Sequence, residues 1–523
     1  MVHDQKDTIA FLSEPSSYGG GVQAVERHET HASIVFLAGA FAYKLKRAVQ
    51  YPYLDYSSVE RRRLMCEREL RINRRTAPQL YQDARPVVRN PDGALRFGSR
   101  DETDLALDWV VVMQRFDPAC LFGVLCTTGR LTVEMARALG QVIADFHIQA
   151  ERIPDRGGAS QIASVLDENA SILGESEVFV HSKATRLDQE ARHALSRVAG
   201  LLDRRRSDGF VRRCHGDLHL DNICFLDGSP VLIDAIEFND DFACIDVLYD
   251  LAFPVMELMR YGLRKHAHAL LNRYIEQTED YEGLAALPLF LSCRAAIRAH
   301  IAVARAKVGG NHGCQQPDEA RVLLEAAITH LGPRKPRLVA IGGVSGTGKS
   351  TLAYGLAPLL DPPPGAIVVR SDVTRKALLG VAETTRLPVE AYTPAMHVRV
   401  FSAMAAHAAL VLNSGYSAIL DGVYGDPASR HRIAQVAGEA KVPFDAFWLQ
   451  APGDVLSERI RFRRLDASDA TEEVLRQQLK TLTGPDDWIA LDGGQEPGRV
   501  LESACRQLIG TGYPLTESGK KPI

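Results

Sequence analysis

The segment Gly343-Val344-Ser345-Gly346-Thr347-Gly348-Lys349-Ser350 constrains the fold of this chain more than any other feature. It fits the pattern G-x-x-x-x-G-K-[ST], in which glycines let backbone N–H groups close around phosphate oxygens. The apolar run 337–342 before it has the composition of a buried strand, and the residues from 351 onward have that of a helix. A strand, a phosphate loop and a helix in this order predict an α/β unit that binds a nucleotide.

The chemistry of this loop assigns roles to its side chains. Lys349 reaches the β and γ phosphates, and the Ser350 hydroxyl holds Mg²⁺. The alternative is a glycine-rich turn without a ligand, which the flanking strand and helix disfavour. The predicted nucleotide-binding residues are Gly343, Ser345, Gly346, Thr347, Gly348, Lys349, Ser350 and Thr351.

Length and composition limit the class of protein. A chain of 523 residues is too long for one core, so two or more domains are expected. The formal net charge of −4 implies no general attraction to nucleic acid or to a membrane. Nine cysteines without a C-x-x-C pair favour reduced thiols in the cytoplasm. We expect neither a signal peptide nor a membrane span of about 20 apolar residues.

A turn-rich segment marks the predicted domain boundary. Leu331-Gly332-Pro333-Arg334-Lys335-Pro336 breaks the helical pattern, so we predict domains at 1–331 and 337–523 with a linker at 332–336. The C-terminal domain is expected to be a parallel sheet with crossover helices. Its predicted strands are 337–342, 366–370, 417–421 and 444–450. In the N-terminal domain we predict strands at 22–25, 34–37, 42–45 and 108–116, a helix at 58–76, mainly helices beyond 133 and a short β-rich insert at 214–236.

A second constellation lies in the N-terminal half. Asp217, Asn222 five residues later, and Asp234 after a predicted β-hairpin form a layout for phosphoryl transfer. In that layout the first aspartate accepts or orients the hydroxyl proton, and the other two residues hold Mg²⁺. Lys44 ends a predicted strand, where it can grip phosphates, and a helix carrying Glu67 and Glu69 follows. The alternative is that both aspartates only shape turns.

The pattern His215-Gly216-Asp217-x-His219-x-x-Asn222, together with Asp234, resembles the aminoglycoside/choline phosphotransferase branch of the protein-kinase-like fold. The resemblance covers roughly residues 20–310 and implies a bilobal kinase domain that uses Mg²⁺ and ATP. It implies that Asp217 is the catalytic base and that Asn222 and Asp234 are Mg²⁺ ligands. It also implies that Lys44 is the nucleotide-binding lysine, that Glu69 is its ion-pair partner, and that 112–116 is the hinge that contacts adenine.

Some positions leave alternatives open. His215 and His219 are expected to be structural rather than metal ligands. Lys46 and Arg47 compete with Lys44 for the nucleotide role and are otherwise solvated charges. No glycine-rich loop separates the first two predicted strands, where 27–33 stands instead.

Acidic and basic residues follow the strands of the C-terminal half. Asp372 and Arg375 lie after the second strand, so Asp372 can accept a proton and Arg375 can bind an acceptor anion. Asp421 ends the third strand, in a position suited to Mg²⁺. Arg459 and Arg463 share a helix face and can neutralise charge on a transferred phosphoryl group. The alternatives are a helix cap at Asp372 and a solvated basic face at the arginines.

Residues 337–490 resemble small P-loop kinases: the polynucleotide 5′-kinase, zeta-toxin and gluconate-kinase-like group. The order of the halves is similar to a known bacterial fusion, which implies a bifunctional ATP- and Mg²⁺-dependent kinase with a hydroxyl acceptor. The partner is expected to be a small molecule. The alternatives are a regulatory protein with one half a pseudokinase, and a nucleic-acid 5′-hydroxyl kinase in the C-terminal half.

Overall fold

The computed structural model describes residues 4–51, 53–308, 316–462 and 467–510. Internal contacts divide the chain into two compact units. The first comprises Met1–Ser164 with Ala199–Glu257, and the second comprises Val165–Val198 with Leu258–Ile523. The predicted linker at 332–336 therefore lies inside the second unit, and the predicted domain boundaries stay a prediction.

The first unit is built on a six-stranded antiparallel sheet in the order β1-β2-β3-β8-β6-β7. Two-stranded antiparallel pairs, β4-β5, β10-β11 and β12-β9, complete its β-structure in the described residues. The strands up to residue 246 are β1 Val25–Glu29, β2 Ser33–Ala38, β3 Phe41–Lys46, β4 Gln50–Tyr51, β5 Leu54–Asp55, β6 Tyr81–Arg89, β7 Leu95–Phe97, β8 Ala106–Gln114, β9 Val211–Arg213, β10 Ile223–Leu226, β11 Ser229–Leu232 and β12 Cys244–Asp246.

The helices up to residue 260 include the predicted charged helix after β5. Ser58 caps it, since its hydroxyl accepts a hydrogen bond from the N–H of Arg61 at 3.3 Å. Cys66 and Leu70 of this helix pack in one core cluster with Trp109 of β8. These helices are α1 Lys6–Ser13, α2 Val59–Asn73, α3 Phe122–Thr127, α4 Val133–Gln149, α5 Gly158–Gly174, α6 His181–Ser207, α7 Asp240–Ala243 and α8 Val247–Arg260.

The first strand differs from its prediction at 22–25. Strand β1 runs from Val25 to Glu29 and pairs with β2, so the charged residues 27–29 belong to the strand rather than to a loop. They are exposed on the edge of the sheet, where charged side chains are common. Their polarity therefore hides the strand from a search for apolar runs.

The second unit contains the predicted parallel sheet. Its strand order is β14-β15-β13-β16-β17, and each neighbouring pair is parallel. The fifth strand was not predicted, because only one of its four residues is buried. The strands are β13 Leu338–Gly343, β14 Ile367–Arg370, β15 Ala418–Asp421, β16 Phe444–Gln450 and β17 Ile489–Asp492.

Helices cover this sheet, and α12 and α18 pack with β13 in one core cluster. Two helices, Leu287–Ala304 within α10 and Pro394–Asn413, have the length and apolar composition of a membrane span, and most of the first is buried. The helices after residue 260 are α9 Arg264–Thr278, α10 Leu287–Val308, α11 Gln316–His330, α12 Lys349–Leu356, α13 Ser371–Leu378, α14 Pro394–Asn413, α15 Pro427–Ala440, α16 Gly453–Phe462, α17 Glu472–Thr481 and α18 Pro497–Gly510.

Candidate active sites

A buried carboxylate holds the loop that carries Asp217 through hydrogen bonds. Asp250 of α8 accepts hydrogen bonds from the N–H groups of His215 and Gly216, each at 3.0 Å. The Nε2 atom of His147 lies 3.1 Å from the same carboxylate, and Asp250 is fully buried. Sequence reasoning missed Asp250, although a lone carboxylate in the apolar run 247–255 is the signal that could have found it.

Gly216 is required where this loop turns. Its φ is +88°, and a Cβ atom there would lie 2.8 Å from the carbonyl oxygen of Phe242. A larger residue would have to move the loop. The histidine before it contacts backbone, since Nε2 of His215 lies 2.8 Å from the carbonyl oxygen of Ile233, which agrees with a structural role. Burial lowers the pKa of His215 below its usual value.

The structure brings Asp217 and Asn222 together. The Asn222 side-chain amide donates to the Asp217 carbonyl oxygen at 2.9 Å and approaches its carboxylate at 3.5 Å. Nε2 of His219 lies 3.4 Å from the same carboxylate. The Asp217 side chain is 43% exposed, so its carboxylate is accessible from solvent.

Asp234 lies beside Lys44 in an unusual backbone conformation. Its φ is +60°, a region that costs a non-glycine residue roughly 1–2 kcal/mol. The Asp234 N–H donates to the Tyr81 hydroxyl at 3.0 Å, and the next N–H, of Ala235, donates to Asn73 Oδ1 at 2.8 Å. These contacts hold the carboxylate so that its Oδ1 is 2.5 Å from Lys44 Nζ.

Lys44 also meets the predicted glutamate. Its Nζ lies 2.9 Å from Oε1 of Glu69, which is fully buried on α2. Glu67 instead pairs with Arg63 on the exposed side of the helix. Burial lowers the pKa of Lys44, but the Asp234 and Glu69 carboxylates outweigh it and raise that pKa well above its usual value. The lysine is therefore a fixed positive charge at the site.

Lys46 is not the solvated charge expected from sequence. Its side chain is 1% exposed, and Nζ lies 2.6 Å from Oε2 of Glu69 and also pairs with Glu237. Alternate residues of a strand face the same side of a sheet, so the side chains of Lys44 and Lys46 lie on one face of β3 and both contact Glu69. The Tyr56 hydroxyl adds a hydrogen bond to Glu237 at 2.6 Å. Sequence reasoning missed Glu237, although it stands three residues after Asp234.

The predicted hinge at 112–116 begins within β8 and continues beyond it. Val111, just before this segment, is the register partner of Lys44 in the neighbouring strand. The Gln114 side-chain amide donates to the carbonyl oxygen of Ala40 at 3.0 Å. The sheet thus fixes this segment next to the strand that carries the lysine.

The phosphate loop of the second unit follows β13. Gly343 has a φ of +136°, and a Cβ there would lie 2.4 Å from the carbonyl oxygen of Leu449. The Lys349 ammonium donates to the carbonyl oxygen of Val344 at 3.0 Å, so its side chain lies over the loop. The Ser345 N–H donates to Gln478 Oε1 at 2.8 Å.

A hydroxyl and a carboxylate meet beside the loop. Ser350 Oγ donates to Asp421 Oδ2 at 2.5 Å, because α12 starts next to the end of β15. Asp421 is buried, and Arg370 Nε lies 3.5 Å from the same oxygen. Hydroxyl and carboxylate oxygens are ligands that Mg²⁺ prefers, so this pair fits the predicted metal role.

Asp372 and Arg375 lie in the first two turns of α13. Burial raises the pKa of Asp372 above its usual value, Arg370 opposes the shift and Asp421 adds to it. Arg375 is 6% exposed and stacks over the Tyr392 ring at 4.7 Å. Its Nε is buried without a hydrogen-bond partner among the described residues.

One cleft of about 1480 Å³ joins these residues. Arg459 lies on its wall and donates to the carbonyl oxygen of Gly493 at 2.6 Å. Arg463 lies outside the described residues. The predicted site residues that line the cleft are Ser345, Gly346, Thr347, Gly348, Lys349, Ser350, Thr351, Asp372, Arg375, Asp421 and Arg459.

Comparisons with solved structures give partial similarities. A choline/ethanolamine kinase family protein from Mesorhizobium loti is 13% identical, with 62% of this chain and 98% of that chain covered and a TM-score of 0.36. A gluconokinase from Sinorhizobium meliloti is 20% identical, with 34% and 95% covered and a TM-score of 0.27.

Sequence comparisons identify both halves. Residues 65–287 match the phosphotransferase enzyme family, and residues 338–485 match an AAA domain. Uncharacterized proteins of Mycobacterium tuberculosis and Mycobacterium bovis are 31% identical over 460 residues, which cover 86% of this chain and 88% of each relative. The chain therefore belongs to the family of these mycobacterial proteins, and it joins a kinase-like phosphotransferase domain to a P-loop AAA domain in one polypeptide.

Proposed function

We propose that each half transfers the γ-phosphoryl group of Mg²⁺-bound ATP to a hydroxyl of a small molecule. The observation that carries this proposal is the meeting of Lys44, Glu69 and Asp234 in one unit, beside a loop that presents Asp217 and Asn222. Two kinase-type domains support phosphotransfer. The identity and class of the acceptor are part of the proposal.

In the N-terminal half, bound Mg²⁺ would neutralise phosphate charge, and Asn222 and Asp234 would hold it with oxygen atoms. Asp234 pairs with Lys44 through Oδ1, and the same carboxylate would contribute to holding the metal. Glu69 holds the Lys44 ammonium through Oε1, independently of Asp234. Lys44 then binds phosphate oxygens, and Asp217 accepts the proton of the acceptor hydroxyl.

In the P-loop half, Lys349 leaves the carbonyl oxygen of Val344 to contact phosphate, and Ser350 with Asp421 would hold Mg²⁺. Asp372 accepts the hydroxyl proton, and its raised pKa makes its carboxylate a stronger base than an ordinary aspartate. Arg375 binds an anionic group of the acceptor. Arg459 neutralises charge that develops on the transferred group.

The first experiment counts nucleotide sites. Calorimetric titration of the full chain with Mg²⁺ and a non-hydrolysable ATP analogue is expected to give two equivalents. Lys44→Met and Lys349→Ala are each expected to remove one, because each deletes the ammonium that contacts phosphate. One equivalent or fewer in folded wild-type protein would contradict the proposal.

The second experiment seeks the acceptor. Mass spectrometry of hydroxyl compounds incubated with the chain and ATP is expected to show an added phosphate, and Asp217→Asn and Asp372→Asn assign it to one half. Two bound nucleotides without any transfer would favour a regulatory nucleotide-binding protein instead. Nine cysteines that form no C-x-x-C pair support our proposal of a cytoplasmic location.

A further inference from the structure

Helix α9 lies in the range matched by the phosphotransferase family, yet it packs against the P-loop sheet within the second unit. The Asn272 side-chain oxygen accepts a hydrogen bond from the N–H of Val368 in β14 at 2.8 Å. One turn earlier, Nε2 of His268 lies 2.9 Å from the carbonyl oxygen of Ala366. Asn272 is fully buried. Since β14 is the edge strand of the sheet, α9 satisfies backbone groups that no neighbouring strand reaches.

A chain of charged side chains begins on the same helix. Arg273 pairs with Glu276 at 3.2 Å and with Glu383, a residue beyond the end of α13. Oε1 of Glu383 lies 3.6 Å from Nη1 of Arg370. The exposed fractions of these side chains are at most 18%, so solvent screens the interactions less than it screens pairs on an open surface.

The chain of charges ends at the proposed metal site. Arg370 Nε lies 3.5 Å from Asp421 Oδ2, and that oxygen accepts the hydrogen bond from Ser350. Arg370 is thus shared between Glu383 on one side and Asp421 on the other. Where its guanidinium lies depends on how strongly each carboxylate attracts it.

We propose that α9 is part of the P-loop site and that Arg273 is a positioning residue for the Asp421–Ser350 pair. This inference rests on the proposed function of that half. Arg273 neutralises Glu383 from the α9 side. Without Arg273, the full charge of Glu383 draws Arg370 away from Asp421 and disturbs the carboxylate that would hold Mg²⁺.

The test uses the full chain with Lys44→Met, so that only the P-loop site binds nucleotide. The Mg²⁺ concentration that gives half-maximal binding of a non-hydrolysable ATP analogue is measured by calorimetry. Arg273→Met is expected to raise this midpoint by on the order of tenfold, the upper part of the range that such coupled contacts give. Arg273→Lys keeps the positive charge, so its midpoint is expected to lie close to that of the parent. Arg321→Met, which removes an exposed arginine of α11 paired with Asp318, is the matched control and is expected to change nothing.

A second substitution separates positioning from general damage to the fold. Glu383→Gln removes the charge that Arg273 balances, so the Arg273→Met/Glu383→Gln pair is expected to bind Mg²⁺ closer to the parent than Arg273→Met alone. The inference is overturned if folded Arg273→Met protein needs the same Mg²⁺ concentration for half-maximal binding as the Lys44→Met parent. It is also overturned if the double variant needs as much Mg²⁺ as Arg273→Met alone. If Arg273→Met does not fold, Arg273→Gln makes the same test. A parent chain that binds no nucleotide would instead contradict the proposed function.

Discussion

At the scale of single residues, the N-terminal site combines two side chains of one loop with three side chains from distant segments. Asp217 and Asn222 are five residues apart on one loop, so local geometry alone brings them together. Lys44, Glu69 and Asp234 come from distant segments, and the fold of the first unit brings them together. The roles of these residues in catalysis stay predictions.

Replacing Asp217 by Asn tests the proposed base. The amide keeps the shape of the side chain but cannot accept the hydroxyl proton, so turnover by the N-terminal half is expected to fall about 10²–10⁴-fold. Binding of the ATP analogue should change little. The assay is transfer to the acceptor in a Lys349→Ala background, with Asp227→Asn in the β10–β11 hairpin as the matched control. Full turnover in Asp217→Asn would show that another residue is the base.

Replacing Lys46 by Met tests the buried ion pairs of the first unit. The substitution leaves Glu69 with one lysine and Glu237 with none, and removing one partner of a buried pair costs about 3–5 kcal/mol. We expect that loss in the free energy of unfolding, measured with urea, whereas Lys6→Met at an exposed position should cost almost nothing. A loss below about 1 kcal/mol would mean that the network contributes little net stability.

At the scale of elements, the sequence predicts regular features and misses those that depend on neighbours. The four longer or more buried strands of the parallel sheet follow from their apolar runs, whereas β17 does not, since its exposed residues give no such signal. Lys46 looks like a surface charge in sequence because burial of a lysine depends on carboxylates that the fold brings from α2 and from the loop after β11.

The turn from β13 into α12 depends on a residue without a side chain. Gly343→Ala places a Cβ 2.4 Å from a backbone oxygen of β16, so the loop must shift and nucleotide binding by the P-loop half is expected to be lost. The free energy of unfolding should also fall. Gly438→Ala, in α15 with open space around it, is the control and is expected to stabilise by about 0.5–1 kcal/mol. Retained affinity in Gly343→Ala would show that the loop tolerates another path.

At the scale of the whole molecule, the family ranges and the compact units divide the chain differently. The family match to the P-loop domain starts at residue 338, but the second unit also includes 258–330. Turn-rich segments in the sequence do not indicate that α9 belongs with the P-loop sheet. The reason is that side chains of α9 form hydrogen bonds with backbone groups at β14, which is distant in sequence.

Truncation tests this difference. A fragment 337–523 lacks α9 and exposes the edge of β14, so it is expected to aggregate or to unfold at a lower temperature than a fragment 258–523. Size-exclusion chromatography and thermal unfolding of the two fragments make the comparison. A soluble, equally stable shorter fragment would show that α9 is dispensable for the sheet.

Asp250 has a consequence for anyone who interprets inherited or laboratory-made variants of this family. It is buried in an apolar helix and holds two N–H groups of the loop that presents Asp217. A saturation screen scored by activity is expected to rank Asp250 beside the proposed catalytic residues, although Asp250 contacts backbone N–H groups of the loop and the His147 ring. An inactive Asp250 variant should therefore be classified as one with a displaced loop, and not as one that lacks a catalytic group.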